Sequence, residues 1–510
     1  MSSTFSGLEV ARRALTTQQS ALYTTSHNIA NANTDGYTRQ RVNFEQTSPY
    51  PPASRNRPEI PGQVGSGVQA GSIERIRDSF LDKQFRGENA KLGYYESKAA
   101  AMQQMESIMN EPSEQGLAKT MDRFWQSLQD LATNPDEGAR SVVAQRGLAV
   151  AETFNYVSDS LNAVRSNLQE EMNVTEKEIN SLVRQINNVN KQIGEIEPHG
   201  YVPNDLYDER DRYIDKLSGL VDINVSYESS GGKPSALAMG KAKIELADAQ
   251  GKSTGTTLVE PTGEYKQLSI AYDDNENVSS FEFTNVDRDG NETAAPAIAA
   301  ADFSSQGKLK ALMESNGYVD GNGEISGEYT DMLKDIDTLA ESFVAEFNKV
   351  HTQGTDMEGQ QGQDFFTIDD TENAAATMGV SQAIQENSNL IAASANGDSG
   401  NGENALSLAE TMRKKGIDGL GDNASVQTYY EGMIGEMAVI SQEAARMQTN
   451  ATTLRDQVDE NRQSVSAVSL DEEMTNMIKF QHAYNAAARN MTTVDEMLDR
   501  IINNMGLVGR

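Results

Sequence analysis

Two apolar stripes of helical periodicity lie at opposite ends of the 510-residue chain. Near the N-terminus the stripe consists of residues seven positions apart: Leu8, Leu15, Leu22 and Ile29. Near the C-terminus the same spacing gives Met477, Tyr484, Met491, Leu498 and Met505, and Ile502 lies between the last two. A seven-residue repeat predicts an amphipathic helix, which is stable in water only when its stripe is covered. We therefore expect the two ends to be coiled-coil helices that pack against each other.

The middle of the chain carries its own helical pattern. Apolar residues spaced three or four apart from Phe154 to Ile196 predict a coiled-coil-type helix, and Pro198 and Gly200 predict its end. Shorter patterns predict two helices in 76–133, broken at Pro112, and one each in 329–350 and 424–464. Together they predict a long helical-bundle domain.

The segment 223–325 differs, because short alternating runs such as "KAKIELAD" and "QLSIAYDD" are separated by Gly, Asn and Asp. This pattern predicts antiparallel strands joined by tight turns. Residues 354–423 are predicted to be a mixed, loop-rich excursion, and the proline-rich stretch 47–67 an extended linker. The predicted fold is mainly α, discontinuous and multidomain: a terminal helical domain (1–60 and 465–510), a helical-bundle domain (61–222 and 326–464) and an inserted antiparallel β domain (223–325).

Charge and composition exclude several classes of protein. The 43 basic and 76 acidic residues give a net charge of −33, which disfavours binding to nucleic acid. Residues 1–60 carry about +2 and residues 465–510 carry −2, so the negative charge belongs to the middle of the chain. The absence of cysteine excludes disulfides, and no apolar run is long enough to insert into a membrane. The N-terminus does not resemble a secretory signal peptide, so we expect any export to remove no leader.

Four short motifs resemble parts of catalytic or ligand-binding sites, but none forms a complete site. "GKST" at 251–254 lacks the glycine of a phosphate loop, since Leu246 stands in its place. The possible calcium loops from Asp287 and Asp320 lack the glycine at their sixth position and are predicted to be turns. "GDSG" at 397–400 contains a candidate nucleophile, Ser399, in a stretch with loop composition. We therefore predict no catalytic, cofactor-binding or metal site.

The remaining chemical candidates are isolated residues. None of the four histidines is spaced from another as metal ligands are, and His351 is predicted to cap the C-terminal end of its helix. Trp125, the only tryptophan, is predicted to fill a helical core.

The stripes point instead to assembly. If helix pairing leaves apolar side surfaces, neighbouring copies can pack there and build a tube with the acidic domains outside. Methionines on the C-terminal stripe suit an interface that adapts to several neighbours. The predicted packing residues are those of the two stripes, Leu8, Leu15, Leu22, Ile29, Met477, Tyr484, Met491, Leu498, Ile502 and Met505.

Both ends of the sequence carry long motifs that resemble a known family. "SGLEVARRAL…NIANANTDGYTRQ" resembles the N-terminal motif of bacterial flagellar rod, hook and hook-associated proteins, and "SVSAVSLDEEMTNMIKFQHAYNAAARNMTTVDEMLDRIIN" resembles their C-terminal motif. The stretches "NDLYDERDRYIDKLSGLVDI" at 204–223 and "FNKVHTQG…DFFTI" at 347–368 are similar to those of the hook-associated protein 1 family. The resemblance is weak across 225–325.

The resemblance implies a structural, non-enzymatic role at the junction of hook and filament, needed for filament assembly and motility. It implies unfolded export through the flagellar type III apparatus, without cleavage, to a position outside the cell. It implies four kinds of partner: further copies of the chain in a ring, the hook protein, hook-associated protein 3 as second junction protein, and a cytoplasmic export chaperone. The chaperone is expected on the C-terminal helix, with Met491, Val494, Leu498 and Ile501 as candidate contacts.

The same resemblance suggests what the asparagine-rich loop after the first helix does. Its motif residues are Asn28, Asn31, Asn33, Gly36 and Tyr37. We expect Asn28 and Asn31 to cap carbonyls, and Asn33 or Gly36 to take left-handed backbone angles, so that the chain turns along the tube wall. Ala467 stands where the family usually has glycine, which predicts a stiffer bend before the last helix.

Three other interpretations remain at this stage. The chain could be another axial protein of hook or rod type, although the stretches at 204–223 and 347–368 disfavour this. It could be a flagellin, which lacks the "NTDGYTRQ" loop in this form. It could be a secreted hydrolase with Ser399 as nucleophile, which would need a histidine and an acid nearby.

Overall fold

The structure is a computed structural model that describes residues 4–51, 54–55, 62–109 and 116–504. Within these residues the helices are α1 (Thr4–Ala30), α2 (Ser79–Met109), α3 (Leu117–Thr133), α4 (Glu137–Ile196), α5 (Asn204–Leu220), α6 (Lys308–Asn316), α7 (Glu328–His351), α8 (Ala374–Thr377), α9 (Gln382–Glu386), α10 (Glu403–Thr411), α11 (Val426–Ser466) and α12 (Leu470–Asn504). The strands are β1 (Gln40–Gln46), β2 (Val68–Arg75), β3 (Ile223–Glu228), β4 (Lys241–Ala247), β5 (Ser253–Val259), β6 (Tyr265–Tyr272), β7 (Val278–Val286), β8 (Glu292–Ala299), β9 (Tyr318–Val319), β10 (Ile325–Ser326), β11 (Phe366–Ile368) and β12 (Met378–Val380). Pro112 and Met505 lie outside the described residues.

The 60-residue helix α4 is the spine of the molecule, and α3, α5, α6 and strand β6 pack along it. It begins at Glu137, well before the predicted start, because Asp136 accepts a hydrogen bond from the Ala139 N–H at 2.7 Å and caps the helix. Most of its apolar stripe is buried, including Phe154, Leu161 and Ile186, while Val164 and Ile196 are half-buried. The helix ends as predicted, through a 3₁₀ turn and Gly200, whose φ is 85°.

The helices between α1 and α12, which we call the helical body, have an aromatic core that was not predicted from the sequence. It forms where α3, α7 and the strand β11 meet, and it consists of Phe124, Phe343, Phe347, Phe365 and Phe366. Trp125 packs against this core, as predicted, but is only half-buried, and the guanidinium carbon of Arg413 lies 4.2 Å from the centre of its ring. A cation over the ring face replaces full burial there.

The segment 223–325 forms most of an eight-stranded sheet, as predicted. Strands β3, β4, β5, β6 and β7 pair antiparallel in chain order, β8 pairs with β7, and β9 is parallel to β7. The two suspected calcium loops are turns: Asp287 and Asp320 each accept a hydrogen bond from the backbone N–H four residues later, at 2.8 Å. The short helix α6 was not predicted.

A β-hairpin of β1 and β2 was also not predicted. Its strands flank the proline-rich stretch, which is therefore the hairpin's loop rather than a linker between separate units, and Tyr50 bridges Val64 within it. The hairpin packs on α1. It spans residue 60, where the sequence prediction placed a domain boundary.

The fold class is as predicted: mainly α, with long terminal helices, a helical bundle and an inserted, mostly β segment. Within the described part of the chain, no helix has the length and hydropathy needed to cross a membrane.

Candidate assembly interface

The first and last helices pack against each other, as the two stripes predicted. We call α1 and α12 the terminal pair. They run antiparallel: a Cβ atom on Gly7 would lie 3.4 Å from Cγ2 of Val494, while the loop after α1 meets the start of α12. Small residues allow the closest approach, and Ala11, Ala21 and Ala487 are buried.

The predicted stripe residues lie on or near the inner face of the terminal pair. Leu498 is buried, and the others on this face are half-buried: Leu8, Leu15, Leu22, Ile29, Met477, Tyr484 and Met491. Ile502 is different, since 70% of its surface is exposed. Of the four candidate chaperone contacts, Leu498 is buried, Met491 and Val494 are half-buried, and Ile501 is exposed.

The outer faces of the terminal pair carry large apolar side chains in contact with water. They are Phe5, Val10, Tyr23, Leu470, Met474, Ile478, Met497, Ile501 and Ile502. Single exposed apolar residues are ordinary on protein surfaces, but a series along one helix pair marks an interaction surface. The geometry therefore provides an interface that this chain alone does not cover.

The asparagine loop closes the turn between α1 and the hairpin. Asn28 was predicted to cap its helix, but this buried residue binds the backbone of Gln40 instead. Its Oδ1 accepts a hydrogen bond from the Gln40 N–H at 3.0 Å, and its Nδ2 donates one to the Gln40 carbonyl at 2.8 Å. The Tyr37 hydroxyl also donates to Asn28 Oδ1, at 2.8 Å. The motif thus fixes the direction in which the chain leaves the helix.

Two other loop residues have the roles predicted for them, and one does not. Asn31 caps α1, because its Nδ2 donates to the carbonyl of His27 at 3.0 Å. Gly36 takes the left-handed conformation with φ of 71°, whereas Asn33 does not and is exposed. A Cβ atom on Gly36 would also lie 2.3 Å from Cγ of Arg212, so both backbone angle and space require glycine.

An ionic cluster joins the terminal pair to the helical body, and we call it the polar joint. Its acidic side is one face of α5, where four aspartates are spaced three or four apart: Asp205, Asp208, Asp211 and Asp215. Its basic side comes from three elements, with Arg75 in β2, Arg86 in α2 and Arg462 in α11, and from Arg77 in the loop after β2. Arg39, in the loop after α1, extends the cluster to Glu472 and Glu473 at the start of α12. The family-like stretch at 204–223 is therefore the docking face for the N-terminal segment.

Individual contacts in the polar joint span long sequence distances. Asp208 accepts from Nη1 of Arg75 at 2.5 Å and from the Thr38 N–H at 3.1 Å. Asp215 accepts from Nη1 of Arg462, on α11, at 2.5 Å. Burial alone would raise the pKa of Asp211, but the neighbouring Arg77 and Arg75 outweigh it and hold that pKa well below its usual range.

The polar joint also holds the bend between α11 and α12. Arg39 forms ion pairs with Glu473 at 2.8 Å and Glu472 at 2.7 Å, and its backbone N–H donates to the Ser466 carbonyl at 2.9 Å. Ala467 has φ of −72° and ψ of 157°, which any residue adopts. This bend therefore does not need the glycine that the family usually has there.

The histidines and the candidate nucleophile are not brought together. His351 is fully buried; rather than capping α7, its Nδ1 donates to the Gln363 carbonyl and its Nε2 accepts from the Ala392 N–H at 2.9 Å. Burial lowers the pKa of His351 to about 4. Ser399 lies in an exposed loop. In the described ranges, no three His, Cys, Asp or Glu side chains are arranged to hold a metal ion.

Comparison with known proteins gives a consistent result. The family model described as "Flagellar hook-associated protein FlgK helical domain" matches residues 102–366. The models for flagellar rod proteins match residues 8–38 and 460–505, the two ends. Flagellar hook-associated protein 1 of Bacillus subtilis is 49% identical over all of both chains.

The chain belongs to the flagellar hook-associated protein 1 family. The Escherichia coli member is 23% identical over 97% of this chain and 98% of its own. The solved structure "The structure of the flagellar hook junction protein FlgK from Burkholderia pseudomallei" shares the fold, with a TM-score of 0.61, 14% identity, and coverage of 75% of this chain and 100% of that one. As a member of the hook-associated protein 1 family, the hook–filament junction protein, the chain is an extracellular structural component of the bacterial flagellum.

Proposed function

We propose that the chain forms an adaptor ring between hook and filament, in which the terminal pairs of neighbouring copies pack side by side in the wall of the flagellar tube. One observation carries the proposal: Phe5, Tyr23, Ile478 and Ile502 on the terminal pair are exposed, whereas most of the apolar stripe of α4 is buried within the chain and its exposed large apolar residues are few, Val142, Tyr156 and Val174. Covering an exposed apolar side chain of this size contributes about 1.5–3 kcal/mol. Repeated around a ring, such contacts stabilise the assembly.

The polar joint supports the mechanical part of this role. An adaptor between two different structures has to hold its outer body at a defined angle to the tube wall. Arg75 and Arg462 tie the hairpin and α11 to the acidic face of α5, the Thr38 N–H ties the asparagine loop to Asp208 on the same face, and Arg39 ties that loop to Glu473 at the start of α12. Because bidentate and multiply paired arginines fix direction as well as distance, the cluster transmits load between tube wall and body.

The partners proposed are those that a junction requires: the hook protein on one side and hook-associated protein 3 on the other. We further propose unfolded export by the type III flagellar apparatus with a cytoplasmic chaperone bound to α12. In the folded chain Leu498 is buried and Val494 faces α1, which supports chaperone binding before the terminal pair forms.

The proposed role needs no catalysis and no cofactor. The division into a terminal domain (1–60 and 465–510), a helical-bundle domain (61–222 and 326–464) and an inserted β domain (223–325) is also a proposal. The bend after α11 at Ser466 supports its last boundary, and the start of β3 at Ile223 supports the first boundary of the β domain.

The outer face of the terminal pair offers the direct test. Ile502→Asp and Ile478→Asp place a charge on an exposed helix face, so the isolated chain should fold normally. Cells with either variant should carry bare hooks and shed flagellin into the medium, as seen by electron microscopy and immunoblotting. The matched control is Gln481→Asp, at an exposed polar position of the same helix, which should leave filaments attached. Normal filaments on both apolar variants would contradict the proposal.

A further inference from the structure

A groove lined by methionines lies between α2, α7 and α11, and we call it the methionine groove. Its volume is about 320 Å³, and its floor is formed by Met102, Met105, Met332, Met433 and Met437. These methionines are buried beneath the groove. Because methionine is flexible and polarizable, such a floor can adapt to an inserted side chain. The groove lies on the helical body, away from the ionic cluster that joins this body to the terminal pair.

The rim of the methionine groove is acidic. Five carboxylates surround one amine: Glu314, Glu328, Asp331, Asp335 and Glu436 around Lys98. Lys98 is already engaged, since its Nζ lies 2.6 Å from Oε1 of Glu328. A guest with an aliphatic stem and a positive end matches both the floor and the rim, because long basic side chains bury their stems and keep the charge outside.

The chain itself carries such a guest. Arg413, Lys414 and Lys415 form the only run of three basic residues in a sequence with a net charge of −33. All three are exposed at the end of α10. Arg413 lies over Trp125, and the Nζ of Lys414 lies 2.5 Å from Oε1 of Glu346. These contacts hold the run in place, and Lys415, the next residue, is exposed beside them.

The two surfaces lie near opposite ends of one rigid helix. Asp331, at the groove, is in the first turn of α7, and Glu346, which holds Lys414, is near its last turn. The separation along the helix is about 22 Å at 1.5 Å per residue. A chain therefore cannot dock its own basic run, whereas the groove of a second copy placed head to tail could receive it. Such heterologous contacts close into rings when the rotation between copies allows it.

We propose that the basic run 413–415 of one copy docks into the methionine groove of the next copy around the ring. This contact rests on the proposed ring and adds to it a second, charge-complementary interface at the level of the helical body. It gives a role to the one run of three consecutive basic residues in a chain with a net charge of −33. It also gives neighbouring bodies a fixed register that the apolar terminal pairs alone do not specify.

Crosslinking tests the contact directly, because the chain has no native cysteine. The double variant Lys415→Cys with Glu436→Cys places one thiol in each exposed surface. Treatment of purified flagella with a short bismaleimide should give a ladder of covalent dimers and larger oligomers. The two single variants should give no covalent dimers. The control pair Asp398→Cys with Glu436→Cys, whose first position is exposed on another loop, should also give none.

Two results of this experiment would overturn the proposal. Attached filaments whose junctions give no ladder would refute the docking contact while leaving the proposed function intact. A Glu436→Cys adduct with the hook protein or another flagellar protein, identified by mass spectrometry, would assign the groove to a different partner. Failure of the proposed function would show differently, as normal filaments on cells with the Ile478→Asp and Ile502→Asp variants.

A charge exchange gives an independent readout without cysteine. Lys415→Glu and Glu436→Lys alone should each lower the fraction of filaments that stay attached under shear by several-fold. The two together restore opposite charges across the contact and should return that fraction close to the wild-type value. Single variants without effect, or a double variant worse than either, would overturn the proposal.

Discussion

The terminal pair and the bundle around α4 carry the same kind of heptad pattern, but they complete it differently. Phe154 and Leu161 in α4 are fully buried within the chain, while Ile502 in α12 is 70% exposed and Met491 only half-buried. The pattern therefore predicts that a helix needs partners, but not whether the partners belong to the same chain. In the bundle they are internal, and in the terminal pair many are missing from the isolated molecule.

The largest expected effect comes from Leu498→Asp, which buries a charge between α12 and α1. An unpaired buried carboxylate costs several kcal/mol, so the terminal pair should separate and filaments should not attach. The melting temperature of the helical bundle, measured by calorimetry on the same variant, should stay within a degree or so of wild type. The conservative control Leu498→Met should support filaments. A large drop in bundle stability would show that the two regions are not separate.

Phe154→Ala should have the opposite outcome, with the loss of stability in the helical bundle. Removing a fully buried aromatic side chain costs about 3–5 kcal/mol, which lowers the melting temperature of the bundle. The comparison variant is Met491→Ala in the half-buried terminal stripe, where we expect less than about 1 kcal/mol in the isolated chain. Chemical denaturation of both variants measures the difference. Equal losses of unfolding free energy at the two positions would contradict the distinction between a stripe buried within the chain and one left partly exposed.

The bundle should also show a pH dependence that the terminal pair lacks. The pKa of His351 is lowered from 6.5 to about 4 by burial, so the folded chain resists a proton that the unfolded chain accepts. Stability from this group is therefore complete above pH 6.5 and is lost as the pH falls toward 4, by about 3 kcal/mol in all.

The variant His351→Gln isolates this contribution, because the raised pKa values of Asp222 and Asp337, each about 6, act in the opposite sense in both proteins. Unfolding free energies of wild type and variant, measured from pH 7 to pH 4, should converge as the pH falls. Parallel curves would rule out His351 as the cause.

The smallest expected effect is a stabilisation in the β sheet. Four tight turns share one hydrogen bond, from a backbone N–H to the carbonyl of the aspartate three residues earlier. In three of them the donor is a left-handed glycine: Gly251, Gly290 and Gly323. In the turn after β6 the donor is Glu276, which has a φ of 63°. Glu276→Gly relieves that strain and should raise the unfolding free energy by about 1 kcal/mol. Gly290→Glu is the matched reverse change and should lower it by a similar amount. No change in either would remove backbone strain as the reason.

Much of this architecture follows from the sequence because periodicity is local. The stripes predicted the pairing of α1 with α12, and Gly200 predicted the end of α4. The β1–β2 hairpin escaped prediction because its strands alternate weakly and depend on α1: the Thr17 hydroxyl, for instance, donates to the Val68 carbonyl at 3.2 Å. Tertiary contacts rather than strand propensity stabilise it.

The polar joint was missed for a different reason. Its contacts join residues as far apart as Arg39 and Glu473, and a charged residue in a sequence does not reveal its partner. One signal was available, since the aspartates of 205–215 recur at helical spacing on a single face. The role of Asn28 was missed similarly, because clamping Gln40 requires the chain to have already turned back.

Hydrogen–deuterium exchange tests the central claim most directly, by comparing the monomer with intact flagella. The account predicts that amides of α1 and α12 exchange quickly in the monomer and become strongly protected after assembly, while those of α4 are slow in both. Full protection of the terminal pair in the monomer, or fast exchange in the assembled flagellum, would contradict the claim that these helices are completed only by neighbouring copies.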